Sequence, residues 1–143
     1  MIMPELVKPD LEPIVARIRE RLPGFSLVAG AYLFGSVLDA CRPDSDIDVG
    51  LVVDPTVPEP AGWGWAGLEA EVEGALGRVQ GHPFHVTVLS PHNVLFSFRV
   101  VREGSLVYVR DPEIVTDFIE QVARRYPDLA WRHRRALEEV LGL

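Results

Sequence analysis

Leu11, Ile14, Val15, Ile18 and Leu22 recur at helical spacing, and Pro23-Gly24 ends the run, so a first helix is predicted there. "FSLVAGAYLFG" then reads as a buried strand reaching Gly35. Ser36-Val37-Leu38-Asp39 has the form of a capping box for one short helix, and "CRPDS" is turn-rich. "DIDVGLVV" reads as a second strand, and the Pro-, Gly- and Trp-rich residues 54–66 as an exposed loop. "GLEAEVEGALGRV" predicts an amphipathic helix with Leu68, Val72, Ala75 and Leu76 inward. "PFHVTVLS" is a third strand, able to pair parallel to the second because a helix lies between them.

Further on, a helical segment is expected near 91–102, a turn at Glu103-Gly104 and a short extended piece at 105–109. Asp111 caps a helix that has Pro112 at its first position and Val115, Phe118, Ile119 and Val122 as its apolar stripe. Tyr126-Pro127-Asp128 interrupts it, and a last helix runs from about Leu129 to Leu141. The expected class is α/β (α+β): a small mixed sheet with helices packed on it, plus C-terminal helices. Residues 1–110 would form the main domain, and 111–143 a helical extension packed on it.

Composition narrows the partners. The formal charge of −7 opposes non-specific binding to nucleic acid, which needs positive charge. Cys41 is the sole cysteine, so neither an intramolecular disulfide nor a cysteine-based zinc cluster is available; this fits a reducing compartment. The opening "MIMPELVKPDLEP" lacks the apolar core of a signal peptide, and no apolar run spans a bilayer, so the expected location is the cytoplasm, away from membranes. Without Gly-Lys-Ser/Thr there is no P-loop.

Candidate chemistry concentrates in "LFGSVLDACRPDSDIDVGLVV", Leu33 to Val53. Alternation along the second strand puts Ile47, Val49, Leu51 and Val53 on one face and Asp46, Asp48 and Gly50 on the other. Two carboxylates so spaced suit the hard oxygen coordination of Mg²⁺, whose shell substrate phosphates usually complete. Gly50 would leave room for a close approach. Gly35 permits a sharp turn near a phosphate, and Ser36 opens the predicted short helix, whose free amides and positive end favour an anion.

Gly35-Ser36, a spacer, and then Ser45-Asp46-Ile47-Asp48 before an apolar strand resembles the signature of the DNA polymerase beta-type nucleotidyltransferase superfamily. Chain length and the "FRVVREGSLVYVRD" region resemble its minimal nucleotidyltransferase (MNT) group; the resemblance covers roughly residues 10–120. It implies the nucleotidyltransferase fold, with Asp46 and Asp48 holding Mg²⁺ (or Mn²⁺) and Gly35, Ser36 and Ser45 holding the phosphates of ATP or another nucleoside triphosphate. The implied reaction transfers a nucleoside monophosphate, AMP in the first instance, to a protein or small acceptor. MNT proteins often act as antitoxins beside a helical HEPN-family ribonuclease, which some of them modify with AMP. Homo-oligomerisation stays open.

This sequence departs from the family twice. An Arg-Gly that usually follows Gly-Ser is replaced by Val37-Leu38-Asp39-Ala40-Cys41, with Arg42 the available substitute at a non-equivalent position. A third carboxylate on the third strand is also missing, since no Asp or Glu lies between Arg78 and Glu103. His85 takes that register position, and imidazole serves Mg²⁺ less well than Mn²⁺ or Zn²⁺. Two functions therefore stand side by side: an enzyme with a modified metal site, and a degenerate member that neutralises a partner by binding. A small-molecule modifier generally needs a larger acceptor domain than this chain provides.

Other residues have plainer readings. A zinc site of His82, His85 and His92 is opposed by strand geometry, which sends His82 and His85 to opposite faces. Trp63 and Trp65 serve either to anchor the loop or to stack on a base or partner. Arg124, Arg125, Arg132, Arg134 and Arg135 form either a solvated helix face or a contact for an acidic partner, diluted by Glu138 and Glu139.

Overall fold

The computed structural model describes residues 5–90, 93–124 and 127–143 of the 143-residue chain. His92, Arg125 and Tyr126, which entered the sequence reading, lie outside the described residues. In chain order the elements are α1 (Leu11–Arg21), β1 (Val28–Phe34), β2 (Ile47–Val53), α2 (Trp65–Leu76), β3 (Arg78–Val79), β4 (His82–Val88), α3 (Val94–Glu103), β5 (Ser105–Val109), α4 (Pro112–Ala123) and α5 (Pro127–Leu141). The five strands form one mixed sheet in the order β3-β4-β2-β1-β5. β2 and β4 run parallel, as the intervening α2 permits; the other neighbours are antiparallel.

Strand alternation divides the core into two layers. On the first face Ala31 and Leu33 of β1, Ile47, Val49 and Leu51 of β2, and Phe84 and Val86 of β4 pack under Ile14 and Ile18 of α1 and Leu68, Val72 and Leu76 of α2. On the second face Tyr32, Val52, Leu89 and Leu106 pack under Val100 of α3 and Val115, Phe118, Ile119 and Val122 of α4, and Ala136, Leu137 and Val140 of α5 join them. Residues after 110 thus pack on the same sheet, with α4 against β1 and β2 and α5 against β5 and α4.

Local signals behave as their chemistry dictates. Asp10 accepts from Glu12 N at the start of α1, and Asp111 accepts from Glu113 N and Ile114 N at the start of α4, where Pro112 needs no partner for a missing N–H. Side chains engage backbone groups on both sheet edges. Along β4, Glu73 Oε1 accepts from Val86 N at 2.9 Å and Glu69 Oε2 accepts from Val88 N at 2.8 Å, one helical turn apart on α2. At the other edge, Arg19 Nε of α1 donates to Val107 O of β5 at 2.9 Å.

Three expectations need correction. The helix expected to reach Val79 ends at Leu76: Gly77 takes φ +67°, and Arg78–Val79 turn back as an antiparallel edge strand on β4. Ser36–Leu38 is a single 3₁₀ turn with Gly35, not Ser36, at its N-cap position and without a side-chain cap, so the predicted capping box is not formed. A turn this short sums few peptide dipoles and gives no helical field to favour an anion. Last, the room expected beside Gly50 is filled: a Cβ placed there would lie 3.0 Å from Leu89 Cδ2.

Candidate functional site

β1 delivers the chain to Gly35 at the end of a buried run, and β2 restarts beside it. In the antiparallel pairing Phe34 lies opposite Asp48. Gly35 adopts φ +81° and ψ −161°, a conformation that side chains of L-residues rarely take. A Cβ at this position would collide with Asp48 Oδ2, so the glycine backbone lies directly against the carboxylate. Val37, buried in the first core layer, pins the turn and leaves Gly35 and Ser36 exposed. Within the turn Leu38 N donates to Gly35 O and Asp39 N to Ser36 O, so the amides that open it have no partner inside it.

Asp48 is half-buried, and the parallel pairing places His85 of β4 at its side. His85 Nδ1 lies 3.3 Å from Asp48 Oδ1. A carboxylate only accepts, so this contact puts a proton on Nδ1 and leaves Nε2 turned away from Asp48. Burial pushes the Asp48 carboxyl above its ordinary pKa; the His85 contact opposes that shift, and the neighbouring charge of Asp46 adds to it. Asp46 is exposed at the entrance to β2. A carboxylate half withdrawn from water, with a second carboxylate near enough to raise its pKa, has the chemistry of a seat for a cation. Mg²⁺ and Mn²⁺ both suit two oxygen donors, and the imidazole beside them suits Mn²⁺ better. Among the described residues no three His, Cys, Asp or Glu side chains are gathered as a metal cluster, so the two acids and His85 are neighbours rather than a closed coordination shell.

The sequence of residues 17–113, which contains this whole arrangement, matches the family described as Polymerase beta, Nucleotidyltransferase. The chain belongs to that nucleotidyltransferase family. Two solved structures are found as similar to the chain. One is described as the toxin-antitoxin MntA-HpeT in mutant form, the other as a toxin-antitoxin with AMP-PNP. Each is 15% identical, with a TM-score of 0.49, and the alignment covers 93% of this chain and 99% of the other. A sequence search against curated proteins returns no match.

Around the nucleotidyltransferase motif, the remaining candidates separate. Ser45 is held from behind: His82, buried on the opposite face from His85, donates from Nδ1 to Ser45 O at 2.8 Å. That bond gives His82 a structural partner and explains its burial without a metal. Arg42 is exposed in the loop, with Nε 3.4 Å from Asp44 Oδ1. Cys41 is buried, and its backbone exchanges two 2.8 Å hydrogen bonds with Val7, tying the loop to the N-terminal segment.

Trp65 opens α2 and packs on the first core, whereas Trp63 is 86% exposed. Of the arginine cluster, Arg124, Arg132, Arg134 and Arg135 are exposed, and Arg135 stacks over Trp131 with 5.1 Å to the ring centroid. Sequence reasoning passed over Phe34, the cross-strand neighbour of Asp48, whose ring packs edge-on against Phe96 of α3 at 5.8 Å. Its place next to the Gly-Ser motif was the available signal. A cavity of about 330 Å³ lined by Val53, Trp65, Glu69, Leu89 and Phe118 lies past the far ends of β2 and β4. Five residues of strand, roughly 17 Å, lie between Asp48 and the cavity's lining residue Val53, while Leu89, which also lines the cavity, packs beside Gly50.

Proposed function

We propose that this chain is a minimal nucleotidyltransferase that moves a nucleoside monophosphate, AMP from ATP in the first instance, onto a protein or small acceptor, as the antitoxin partner of a HEPN-type toxin. What supports this most is the contact between the Gly35 backbone and the Asp48 carboxylate, with His85 in register beside it. The oxygen of an acceptor hydroxyl forms a bond to the α-phosphorus, the bond from that phosphorus to the bridging oxygen breaks, and pyrophosphate leaves. Gly35 lets the triphosphate approach the backbone, and the Ser36 and Ser45 hydroxyls and Arg42 supply donors to its oxygens. Asp46 and Asp48 would hold Mg²⁺ or Mn²⁺, which when bound neutralises charge on the phosphates. His85, with Nδ1–H engaged by Asp48, offers Nε2 to accept the proton of the acceptor hydroxyl. Positioning and charge compensation are the main demands of phosphoryl-type transfer, and the site needs no covalent intermediate to meet them.

A second reading rests on the same residue. His85 already engages Asp48, and the acids and imidazole are not gathered into a closed shell, which suits a degenerate member that neutralises its partner by occlusion. One experiment separates the two. The chain is incubated with radiolabelled ATP and Mg²⁺ or Mn²⁺, with and without the product of the adjacent reading frame. Label on the partner, absent in Asp46→Asn and Asp48→Asn, supports transfer. Stoichiometric complex without label, unchanged in those variants, overturns it in favour of occlusion.

A further inference from the structure

We propose that the cavity between β1, the end of α3 and α5 is a binding site for a small phosphate-class oxyanion, separate from the Asp48 site. The cavity measures about 170 Å³ and is lined by Tyr32, Arg102, Ser105, Arg132, His133 and Glu139. That volume takes a phosphate or pyrophosphate; a whole nucleoside triphosphate needs a cleft nearer the roughly 300–1,000 Å³ usual for organic ligands.

The donor count points to the ligand. His133 is 5% exposed, its Nε2 lies 3.2 Å from Thr116 Oγ1 of α4, and its Nδ1 is buried with no hydrogen-bond partner. We assign the Thr116 hydroxyl as the donor to Nε2, which places the ring proton on Nδ1 and leaves it needing an acceptor. Tyr32, 2% exposed in the middle of β1, has no hydroxyl partner among the described residues. Leaving a buried donor unpaired, as at His133 Nδ1, costs about 1–3 kcal/mol, so native folds rarely keep one without a purpose. Two guanidiniums against the one carboxylate of Glu139 leave the lining net positive. Tyr O–H, Ser O–H, imidazole N–H and two arginines are donors; a ligand made of acceptors satisfies them together, and a tetrahedral oxyanion is the smallest such group.

The site shares the second sheet face with Asp48. Tyr32 lies opposite Gly50 in the β1–β2 pairing and Phe34 opposite Asp48, with the Phe34–Phe96 ring pair at that position. Inorganic phosphate and pyrophosphate are two sources of the same chemistry, and the experiment treats them as separate arms.

The full chain is titrated with sodium phosphate and, separately, with pyrophosphate, against sodium chloride at matched ionic strength. Thermal unfolding and the His133 ring resonances are followed. A saturable rise in Tm is expected in at least one arm, together with movement of the His133 resonances. The variant Arg102→Gln/Arg132→Gln, altered only at exposed side chains, is expected to weaken that response at least about tenfold, as loss of charge-assisted hydrogen bonds implies. The arm with the tighter response identifies the anion. No saturable response in either arm, or stationary His133 resonances, overturns the proposal. So does a response that the double arginine variant keeps and Ser36→Ala loses, because the anion would then sit at the Gly35–Ser36 turn.

Discussion

Along β2 the odd residues Ile47, Val49 and Leu51 are sealed under α1 and α2, while the even residues Asp48 and Gly50 face the layer built by α3, α4 and α5. Among the described residues His82, at the strand entrance, is the buried polar side chain of the first layer, and its Nδ1 is bonded to Ser45 O. The second holds the half-buried Asp48, the buried Ser97 and His133 with its unpartnered nitrogen, and Tyr32, whose burial pushes its phenol pKa upward. The strands are common to both layers, so the contrast comes from period-two alternation and from what each helix brings. Burial in the apolar layer offsets what the other layer loses by keeping polar groups in places that cost stability.

The contrast is broken most severely at Asp46 and Asp48. Each Asp→Asn change should lower nucleotidyl transfer by about 10³-fold or more while circular dichroism and compactness stay unchanged, as the proposed roles of the two carboxylates imply. Next in size, Leu51→Ala in the first layer should cost about 2–5 kcal/mol in denaturant unfolding, through lost burial and a cavity that close packing cannot fill. Glu73→Ala should cost about 1–3 kcal/mol, since Val86 N loses its acceptor at a part-buried position; Glu73→Gln, which keeps an oxygen, should restore most of that.

A smaller effect is expected from pH. His133 has a pKa lowered from 6.5 by burial, so the folded state resists its protonation more than the unfolded chain does. Its contribution is full above the unfolded value and is lost as pH falls through 6.5 toward the folded value. Unfolding curves at pH 7.5 and 5.5 should show wild type losing more stability than His133→Gln. The smallest sharpens the trade at the site itself. The Asp48 pKa is raised in the fold, so ionised Asp48 costs stability; the cost is absent below the unfolded pKa and grows as pH rises past it. Asp48→Asn should therefore have a higher Tm than wild type at pH 7 without added metal, with the gap closing in acid.

The first layer was largely legible in the sequence because its signals are periodic and local. Leu11 to Leu22, "DIDVGLVV" and the Leu68-Val72-Leu76 stripe each declare a face without knowledge of the rest. Asp111-Pro112 announced a helix start in the same way. The expectation failed where tertiary pairing overrode local pattern. Arg78-Val79 continues an apolar rhythm, yet Gly77 at positive φ ends the helix and β4 recruits the pair as an edge strand. Ser36 has a good capping side chain, but the helix it would cap stops after three residues.

For the site, the motif named Gly35, Asp46 and Asp48, and the family resemblance put His85 at the third-carboxylate position, where the parallel pairing sets it beside Asp48. Contacts across four elements were not legible. Nothing local says that Leu89 fills the space beside Gly50, or that Tyr32 and His133, 101 positions apart, line one cavity.

The carboxylates of Glu69 and Glu73 and the guanidinium of Arg19, at opposite borders of the sheet, have a consequence for assembly. A bare border is a template on which a foreign extended segment can continue the ladder, by accident in aggregation or by design in recognition. Here the amides of Val86 and Val88 and the carbonyl of Val107 are already taken by groups that belong to the chain itself. These three groups are withdrawn from such pairing, and an added strand would have to displace the side chains that hold them.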